Sequence, residues 1–456
     1  MRELNPTKPL FWDRKSRFDE LERFLRWSEA GRIESTGVTV DLVSATDAED
    51  VDDVLGLMAQ RDVVEGVALV KVPRRAILSS DVAREMSSLK EAMSKDPVLL
   101  GMDNVALALC LCCEYLLGSK SKWAPYVRIL PAGFATPLYF SQSEWELLRP
   151  SAVFEDALLM YRHAARQFVY FFLMLASCSP HGGATGALLE STPLTLTNFT
   201  FDLYKWAVSA VTTRLNLIPS RVARQSDGTP KQASTFQSRI PALIPMLDMA
   251  NHRDCAVDVV DKERMSVNFC PSADQAAVYA TRNYLPGEEV TIFYGPRSNG
   301  HHLLHNGFVV DGNSNDYVVV KLGLSKADKH YEARRAALEK LGLRPNGCFE
   351  VTRGPTPVPE EMLSFVRVFL ADCADDAVSE LSDSPESNVR AWRFLSDRFQ
   401  LLLRQIERAP PRATDMELEG PNAGLIRALL KSERDILQGA SDYVGNMLTQ
   451  LQESSS

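Results

Sequence analysis

The sequence predicts an α+β fold, in which a β-rich core is interrupted by a long helical insertion and followed by an all-helical domain. Strand-like segments lie on both sides of a mostly helical stretch at about residues 81–215, and helical periodicity returns after about residue 325. Neither a doubly wound sheet nor a barrel has this order of elements. The chain has 456 residues, of which 45% are hydrophobic, enough for two cores. We therefore expect a first domain over residues 1–324 and a second over residues 325–456.

The first elements are a helix and a group of strands. Residues 17–29 place apolar side chains on one helical face, namely Phe18, Leu21, Phe24 and Leu25. The segments GVTVDLV and VLGLMAQRDVVEGVALVKVPRRAIL follow, and their β-branched residues alternate with breakers such as Gly56 and Gly66. We predict short strands here, joined by turns.

The helical insertion comes next and is followed by more strands. Its clearest helical segments are DNVALALCLCCEYLL, ALLMYRHAARQFVYFFLMLA and LYKWAVSAVTTRL, with a loop at residues 179–186. After a polar loop at residues 224–234, strand character returns in PALIPML, MSVNFC, AAVYAT and EEVTIFYG. From about Ser325 to Leu451 the periodicity is helical again, which indicates an appended helical bundle.

Charge, cysteines and hydropathy narrow the class of protein. The chain has 50 basic and 59 acidic residues, a formal net charge of -9, and no long Lys/Arg run, so we expect no nucleic-acid partner. Its eight cysteines contain no paired spacing of the zinc type, which favours reduced thiols and no metal site. The N-terminal stretch MRELNPTKPLFWDRKSRF is charged where a signal peptide needs an apolar run, and no apolar stretch reaches about 18 residues. We expect a soluble, monomeric, cytoplasmic protein without a membrane partner, and leave nuclear entry open.

Three segments could carry chemistry: residues 56–62 (GLMAQRD), 247–255 (LDMANHRDC) and 288–299 (EEVTIFYGPRSN). Each has an ordinary structural explanation when it is taken alone. The first is typical of a hairpin turn, because it lacks the glycine spacing of a phosphate-binding loop. The second is typical of a polar turn that caps its own backbone. The third delivers a tyrosine to a strand end, as at many protein rims.

The histidines of NGHHLLHNGF, His301, His302 and His305, invite comparison with a metal site. They lie on a predicted helix with no cysteine or acid at ligand spacing, so we expect a surface or capping role.

Taken together and in this order, the three segments resemble the cofactor-site segments of a SET domain, in which a pseudoknot brings the last two beside the first. The long insertion and the appended helical domain resemble the subgroup that includes the plant Rubisco large-subunit lysine methyltransferase. Within it, TRLNLIP, LIPMLDMANH, IFYGPRSN and KLGLSKADKHY are similar to the group that methylates a histidine of actin. The resemblance covers most of the chain, from about Arg17 onward.

The resemblance implies a methyltransferase that uses S-adenosylmethionine, with a C-terminal domain that holds the protein substrate. It implies these cofactor-binding residues: Arg17, Asp53, Leu55, Arg214, Asp248, Asn251, His252, Tyr294 and Asn306. It implies that Asn216, Leu247, Ile292 and Arg297 contact the target, and that Tyr294 and Asn216 are the catalytic residues. Guanidinium groups such as those of Arg17 and Arg214 suit recognition of the cofactor carboxylate.

Acid–base chemistry favours a histidine target, which the resemblance also implies. A histidine, with a pKa of about 6.5, is largely neutral at pH 7, whereas a lysine, at about 10.4, must first lose a proton. The Asn216 amide could hold the ring nitrogen that is not methylated. Two departures keep alternatives open. Leu247 replaces a tryptophan of the histidine-modifying group, which motivates a lysine target, and Val54 replaces a glycine, which motivates a non-catalytic actin-binding scaffold.

Overall fold

The computed structural model describes residues 14–43, 54–86, 88–177, 189–221, 238–255, 267–371, 385–409 and 420–453. These residues form two compact units. The first comprises the chain up to Phe134 and from Met160 to Gly295; the second comprises Ala135–Leu159 and the chain from Pro296 onward. This division by contacts differs from the predicted boundary at residue 324, and the domain limits of 1–324 and 325–456 stay a prediction.

The strands, in chain order, are β1 (Glu34–Ser35), β2 (Val38–Val43), β3 (Val54–Ala59), β4 (Ala68–Pro73), β5 (Leu78–Ser79), β6 (Asn216–Pro219), β7 (Arg239–Leu243), β8 (Val267–Cys270), β9 (Gln275–Tyr279), β10 (Glu289–Val290), β11 (Tyr317–Gly323) and β12 (Asn346–Thr352). The helices are α1 (Arg14–Ala30), α2 (Ser80–Glu85), α3 (Lys90–Lys95), α4 (Pro97–Gly101), α5 (Asp103–Leu117), α6 (Ala124–Ile129), α7 (Gln142–Leu148), α8 (Phe154–Ala176), α9 (Phe201–Arg214), α10 (Asn299–His305), α11 (Tyr331–Lys340), α12 (Glu360–Leu370), α13 (Pro385–Glu407) and α14 (Ala423–Glu453).

The first unit contains three small antiparallel sheets, with strand orders β1-β4-β9-β8, β10-β3-β2 and β5-β7-β6. The middle position of β3 matters most for the site. It pairs with β2 on one side and with β10 on the other, so Glu289 lies opposite Met58 and Val290 opposite Leu57. Residues more than 200 positions apart in the sequence therefore become neighbours in one sheet.

The insertion packs its helices against these sheets. Helix α5 is buried along nearly its whole length because its segment is apolar on all sides. Helix α9 starts at Thr200, whose hydroxyl accepts a hydrogen bond from the Leu203 N–H at 3.2 Å. It ends at Arg214, directly before β6, and this order places both Arg214 and Asn216 at the junction of helix and strand.

The second unit combines a hairpin with helices. Strands β11 and β12 form a two-stranded antiparallel sheet, and α13 and α14 pack their apolar faces into a separate core with α12. Helix α7 begins with a capping box, in which Ser141 and Glu144 each bond the other's backbone N–H. Helix α8 crosses the division between the units, since its residues up to Leu159 belong to the second.

The predicted α+β class is confirmed, with two local corrections. Residues 325–451 were expected to be helical, but β12 (Asn346–Thr352) lies among them and pairs with β11. Helical periodicity on both sides masked a strand whose side chains Phe349 and Val351 are buried at alternate positions. Gly56 was read as part of a hairpin turn, yet it lies inside β3, opposite Asp41.

Two expected absences concern only the described residues. No helix there is long and apolar enough to cross a membrane. Within the same ranges, no three His, Cys, Asp or Glu side chains come together as metal ligands.

Candidate active site

The Asn251 side chain joins two of the three candidate segments. Its amide Nδ2 donates one hydrogen bond to the Leu55 carbonyl oxygen of β3, at 3.2 Å, and one to Glu289 Oε1 of β10, at 2.7 Å. A primary amide has two N–H groups, so both are used. Asn251 therefore fixes the turn after residue 247 against the sheet.

The same turn runs parallel to the chain that leads to Tyr294. The Ile292 N–H donates to the Asn251 carbonyl at 2.9 Å, and the Arg253 N–H donates to the Ile292 carbonyl at 3.0 Å. These bonds make a parallel bridge between His252 and Ile292. They bring the second and third candidate segments side by side. The order of the segments in the sequence does not by itself predict this contact.

Tyr294 is held at both its backbone and its hydroxyl. Its N–H donates to His252 Nδ1 at 3.2 Å, and its hydroxyl donates to the Ala250 carbonyl at 3.0 Å. Because Nδ1 accepts this bond, the proton of the neutral His252 ring sits on Nε2. The two ring centroids are 5.1 Å apart, so the phenol and the imidazole form one rigid group.

The same turn contains a half-buried acid, whose Oδ1 atom is buried. Asp248 belongs to a 3₁₀ turn at Leu247–Met249, which follows Met246 with a φ of 73°. The Tyr126 hydroxyl donates to Asp248 Oδ2. Burial raises the pKa of Asp248 to about 7, although the Arg214 charge and the Tyr126 hydrogen bond lower it. Burial and the neighbouring Asp248 raise the pKa of Tyr126 as well.

Two polar atoms of this cluster are buried without a hydrogen-bond partner in the described part of the chain: Asp248 Oδ1 and Arg214 Nε. The Arg214 guanidinium donates through Nη1 to Thr213 Oγ1 at 3.0 Å and lies 5.9 Å from the centroid of the Phe134 ring. Buried polar atoms usually have partners, because leaving one unpaired costs about 1–3 kcal/mol. An acceptor and a donor left open side by side indicate a place for a ligand that has both kinds of group.

Gly56 is required by the packing around Asn251. A Cβ atom at this position would lie 2.2 Å from Val43 Cγ2, 2.9 Å from Glu289 Oε1 and 3.3 Å from Asn251 Nδ2. We expect Gly56→Ala to lower the free energy of unfolding by about 1–3 kcal/mol, because the side chains of Val43 and Glu289 must move to admit the methyl group. Urea unfolding of the full chain measures this change. Gly101→Ala is the matched control, since nothing lies within 4 Å of its added Cβ; equal losses in both variants would contradict the prediction.

The Asp248 pKa predicts a pH dependence of stability. The folded chain keeps a proton at Asp248 up to pH about 7, whereas the unfolded chain releases it near pH 4, so folding becomes less favourable as pH rises between about 4 and 7. We expect Asp248→Asn to remove about 2–4 kcal/mol of this dependence, measured as the unfolding free energy in urea across that pH range. Asp202→Asn, on an exposed side chain of α9, should leave the dependence unchanged. A profile of Asp248→Asn parallel to wild type would contradict the assigned pKa.

The remaining candidates of the first unit lie as follows. Leu55, Leu247 and Ile292 have buried side chains, with at most 7% exposed. Asp53 lies outside the described residues, and the Val54 side chain is 42% exposed at the start of β3. Because Leu247 is fully buried in the core, a target group could contact it only through a pocket that enters the core.

Arg17 and Asn216 lie on other elements of this unit. Arg17 is in the first turns of α1 and is partly exposed. Asn216 begins β6 opposite Ala242 of β7, and its amide donates to the Arg214 carbonyl at 3.2 Å. This bond ties the predicted selectivity residue to the arginine of the buried cluster.

Two candidates belong to the second unit. Arg297 Nη1 donates to Asn306 Oδ1 at 3.4 Å, so these residues contact each other. The rings of His301 and His305 are 4.4 Å apart on α10, and burial, followed by the charges of His305 and Arg297, lowers the pKa of His301 to about 4. The expected surface or capping role is wrong for His302, which is 1% exposed because its ring packs on Phe308, while His301 and His305 are half-buried.

Sequence reasoning missed two residues that hold the site together, Glu289 and Tyr126. Glu289 could have been suspected, because it lies at a strand start within the third candidate segment. Tyr126 had no such signal, since it lies in the helical insertion and its partner Asp248 is 122 positions away.

Comparisons with known proteins agree with this geometry. A family model described as the SET domain matches residues 54–295, and one described as Rubisco LSMT substrate-binding matches residues 325–437. The chain is 32% identical over 410 residues to an actin-histidine N-methyltransferase of Danio rerio, a match that covers 85% of this chain and 63% of the relative. It is 33% identical over 366 residues to the actin-histidine N-methyltransferase of Homo sapiens, a match that covers 76% of this chain and 56% of that relative. The chain thus spans less than two thirds of the length of these relatives.

Solved structures show the same fold. A structure of the SET domain of LSMT bound to lysine and AdoHcy superposes with a TM-score of 0.72, and one of Rubisco LSMT bound to AdoMet with 0.70. Both are 18% identical and cover 95% of this chain and 93% of the other. The predicted fold class and family resemblance are thereby confirmed. Because the SET model covers more than half of the chain, and its segments converge around Asn251 and Tyr294, the chain belongs to the SET-domain family.

Proposed function

We propose that the chain is an S-adenosylmethionine-dependent protein-histidine N-methyltransferase, and that its protein substrate is actin. The observation that carries the enzyme assignment is the convergence of Asn251, His252 and Tyr294 at the turn that also contains Asp248, together with the open hydrogen-bonding atoms of Asp248 and of Arg214, whose charge acts on Asp248. The choice of histidine and of actin is supported by the names of relatives at 32–33% identity.

The open atoms suit S-adenosylmethionine, which has a carboxylate, an ammonium group and an adenine. Arg214 Nε can donate to a carboxylate, and Asp248 Oδ1 can accept from an N–H group. The Asn251–His252 turn offers backbone and ring groups of both types, which suits the adenine edge. We assign Leu55, Arg17, Asp53 and Asn306 to the same cofactor by family resemblance. Bound there, the cofactor would supply an electrophilic methyl group on a sulfonium.

Positioning explains most of the catalysis expected of this site. The Tyr294 hydroxyl is fixed by the Ala250 carbonyl, and its backbone by His252, so the phenol oxygen can orient an incoming nitrogen without moving. A neutral histidine has a lone pair on one ring nitrogen and needs no base to attack. The proton it carries on the other nitrogen becomes acidic after methyl transfer and leaves to solvent.

The lysine alternative has one specific observation in its favour. Leu247 offers no aromatic face at the position where the histidine-modifying group has a tryptophan, so a flat imidazole loses a stacking surface. A lysine would have to be deprotonated in the site, at the cost of desolvation. We favour histidine because this chain has Asn216 where the histidine-modifying group has an asparagine, whose amide can hold the ring nitrogen that is not methylated. The bond of Asn216 to the Arg214 carbonyl fixes the position of this amide.

The test of the proposed function is methyl transfer by the purified full chain. Actin that lacks the modification is incubated with S-adenosylmethionine, and its peptides are read by mass spectrometry at every histidine and lysine. A single added methyl on one histidine supports the proposal. Methyl mass on a lysine alone would establish the lysine alternative. No transfer, together with no calorimetric heat from the cofactor or its demethylated product, would leave the actin-binding scaffold.

Asn216→Ala tests the choice of nucleophile. Without the amide, the target ring loses the group that holds its unreactive nitrogen, so we expect kcat/KM for a histidine peptide to fall by about 10–100-fold. The Kd for S-adenosylmethionine should change little, and transfer to a lysine peptide should fall less than transfer to histidine. Steady-state kinetics with the two peptides and calorimetry with the cofactor measure these quantities. An equal loss for both peptides would show that Asn216 supports the fold and not the selectivity.

We further propose a monomeric cytoplasmic enzyme whose domain 325–456 holds actin, while Arg297, Ile292 and Leu247 contact the target peptide. The six described cysteines are free thiols, which fits a reducing compartment. Light scattering of the purified chain and imaging of the tagged full-length protein test these two points.

A further inference from the structure

A groove of about 620 Å³ lies within the second unit, apart from the three candidate segments. Strand β11, helices α13 and α14 and the residues around the start of α8 line it. None of the cofactor, target or catalytic residues named above lines this groove.

The groove follows an open edge of β11. Residues 318–321, four in succession, all line it. Since alternate side chains of a strand point to opposite faces, consecutive lining residues indicate that the groove borders the backbone edge and not one face. In the part of the chain that the structure describes, β11 pairs only with β12, so its other edge has no strand partner. Four residues at about 3.3 Å each give about 13 Å of edge.

The side opposite the strand is apolar, with one half-buried cation. Leu402 and Ile406 of α13 and Leu437 of α14 line the groove. Arg398, one turn before Leu402, also lines it, and its Nε is buried without a hydrogen-bond partner among the described residues. A guanidinium nitrogen in this position costs free energy until an acceptor reaches it.

The floor of the groove contains a carboxyl group that is already satisfied. Glu433 is 4% exposed and accepts hydrogen bonds from the Ser151 hydroxyl at 2.8 Å and the Ala152 N–H at 3.3 Å. Burial raises the pKa of Glu433 to about 8, so the carboxyl is mostly neutral at pH 7. It therefore does not neutralise Arg398.

The charges of the lining favour an acidic ligand. Four cationic side chains line the groove, Arg149, Lys321, Arg398 and Arg408, against three acids, Glu146, Glu155 and Glu433. Arg149 is paired with Glu146 at 2.7 Å and Lys321 with Asp156 at 2.9 Å. With Glu433 neutral, Arg398 and Arg408 remain against Glu155, so the lining has a net excess of one positive charge.

We propose that this groove binds an extended segment of a partner protein, which adds as a strand to the free edge of β11 and places an acidic side chain against Arg398. Backbone pairing supplies affinity that does not depend on sequence, and the alternate side chains of the segment give specificity. One face of the segment packs on Leu402, Ile406 and Leu437, where apolar side chains fit. The site is independent of methyl transfer, so it stands or falls separately from the proposed function.

The experiment uses the full chain and a fluorescent seven-residue peptide, with valine and threonine alternating around a central glutamate. Three peptides are compared by fluorescence anisotropy: this one, one with glutamine at the centre, and one with proline at each threonine. We expect the glutamate peptide to bind about tenfold or more tightly than the glutamine peptide, because the charged acceptor pairs with Arg398. The proline peptide should not bind, because it lacks the backbone donors that a strand needs.

Protein variants and hydrogen exchange locate the binding. Arg398→Gln should abolish the preference for glutamate, whereas Arg393→Gln, on an exposed position of the same helix, should keep it. Saturating glutamate peptide should slow amide exchange at residues 318–321. The proposal is overturned if the glutamate peptide does not bind, if it binds no better than its glutamine counterpart, or if the slowed amides lie elsewhere. The peptide comparison needs no variant, so a failure of Arg398→Gln to fold leaves the test intact.

Discussion

Tyr294→Phe is expected to lower kcat for methyl transfer by about 100-fold or more, while the Kd for S-adenosylmethionine changes by less than about threefold. The variant keeps the ring and its packing against His252 but loses the hydroxyl that is anchored on the Ala250 carbonyl at 3.0 Å. A displaced or missing phenol oxygen cannot orient the incoming nitrogen, and the loss appears in the transition state more than in the bound cofactor. Single-turnover transfer to a histidine peptide and calorimetry measure the two quantities.

Tyr204→Phe is the matched control for this prediction. It also removes one hydroxyl from a buried ring, which bonds Gln167 at 3.0 Å and packs on Phe171 and Phe199 of the helical insertion. We expect Tyr204→Phe to lower the free energy of unfolding by about 1 kcal/mol, as Tyr294→Phe should, but to leave kcat unchanged. If both variants lose the same activity, Tyr294 acts only through the fold. If Tyr294→Phe weakens cofactor binding as much as it slows transfer, the assigned role is wrong.

The sequence identified the residues at the centre of the site better than the residues that hold them in place. Their polar groups at the ends of apolar strands marked Asn251, His252 and Tyr294 as candidates, and the family resemblance then implied their roles. The structure brings these residues together. Glu289 and Tyr126 were missed because an acid at a strand start and a tyrosine in a helix are compatible with many solvent-exposed positions. Their role depends on which distant residue lies opposite, and a single sequence does not contain that pairing.

The β11–β12 hairpin shows the same limit for the fold. Local periodicity assigned helices throughout residues 325–451, and it was right for α11 to α14. Strand β12 was missed because its seven residues are stabilised by pairing with β11 and by burial of Phe349 and Val351, which are tertiary effects. The prediction of a turn at Gly56 was wrong for a related reason. Glycine usually marks a turn, but here the neighbours Val43, Glu289 and Asn251 leave no room for a side chain inside a strand.

Asn251→Ala is expected to weaken S-adenosylmethionine binding by about 10-fold or more and to lower the free energy of unfolding by about 1–3 kcal/mol. The amide is the donor to both the Leu55 carbonyl and Glu289, so its removal leaves two acceptors without that donor and releases the turn from the sheet. Calorimetry with the cofactor and urea unfolding measure the two losses.

A double-mutant cycle with Glu289 separates the effect of the Asn251–Glu289 hydrogen bond from a general loss of stability. Asn268→Ala, an exposed asparagine on β8, controls for the loss of an amide and should leave both quantities near wild type. If the Asn251–Glu289 bond holds the site, Asn251→Ala and Glu289→Ala should together cost less than the sum of their separate effects, because either change breaks the same contact at 2.7 Å. Additive losses would mean that the two side chains act independently. In that case the turn is held by the backbone bonds of Ile292 and by the bonds of Tyr294 to His252 and Ala250, and the cofactor site would not depend on this amide.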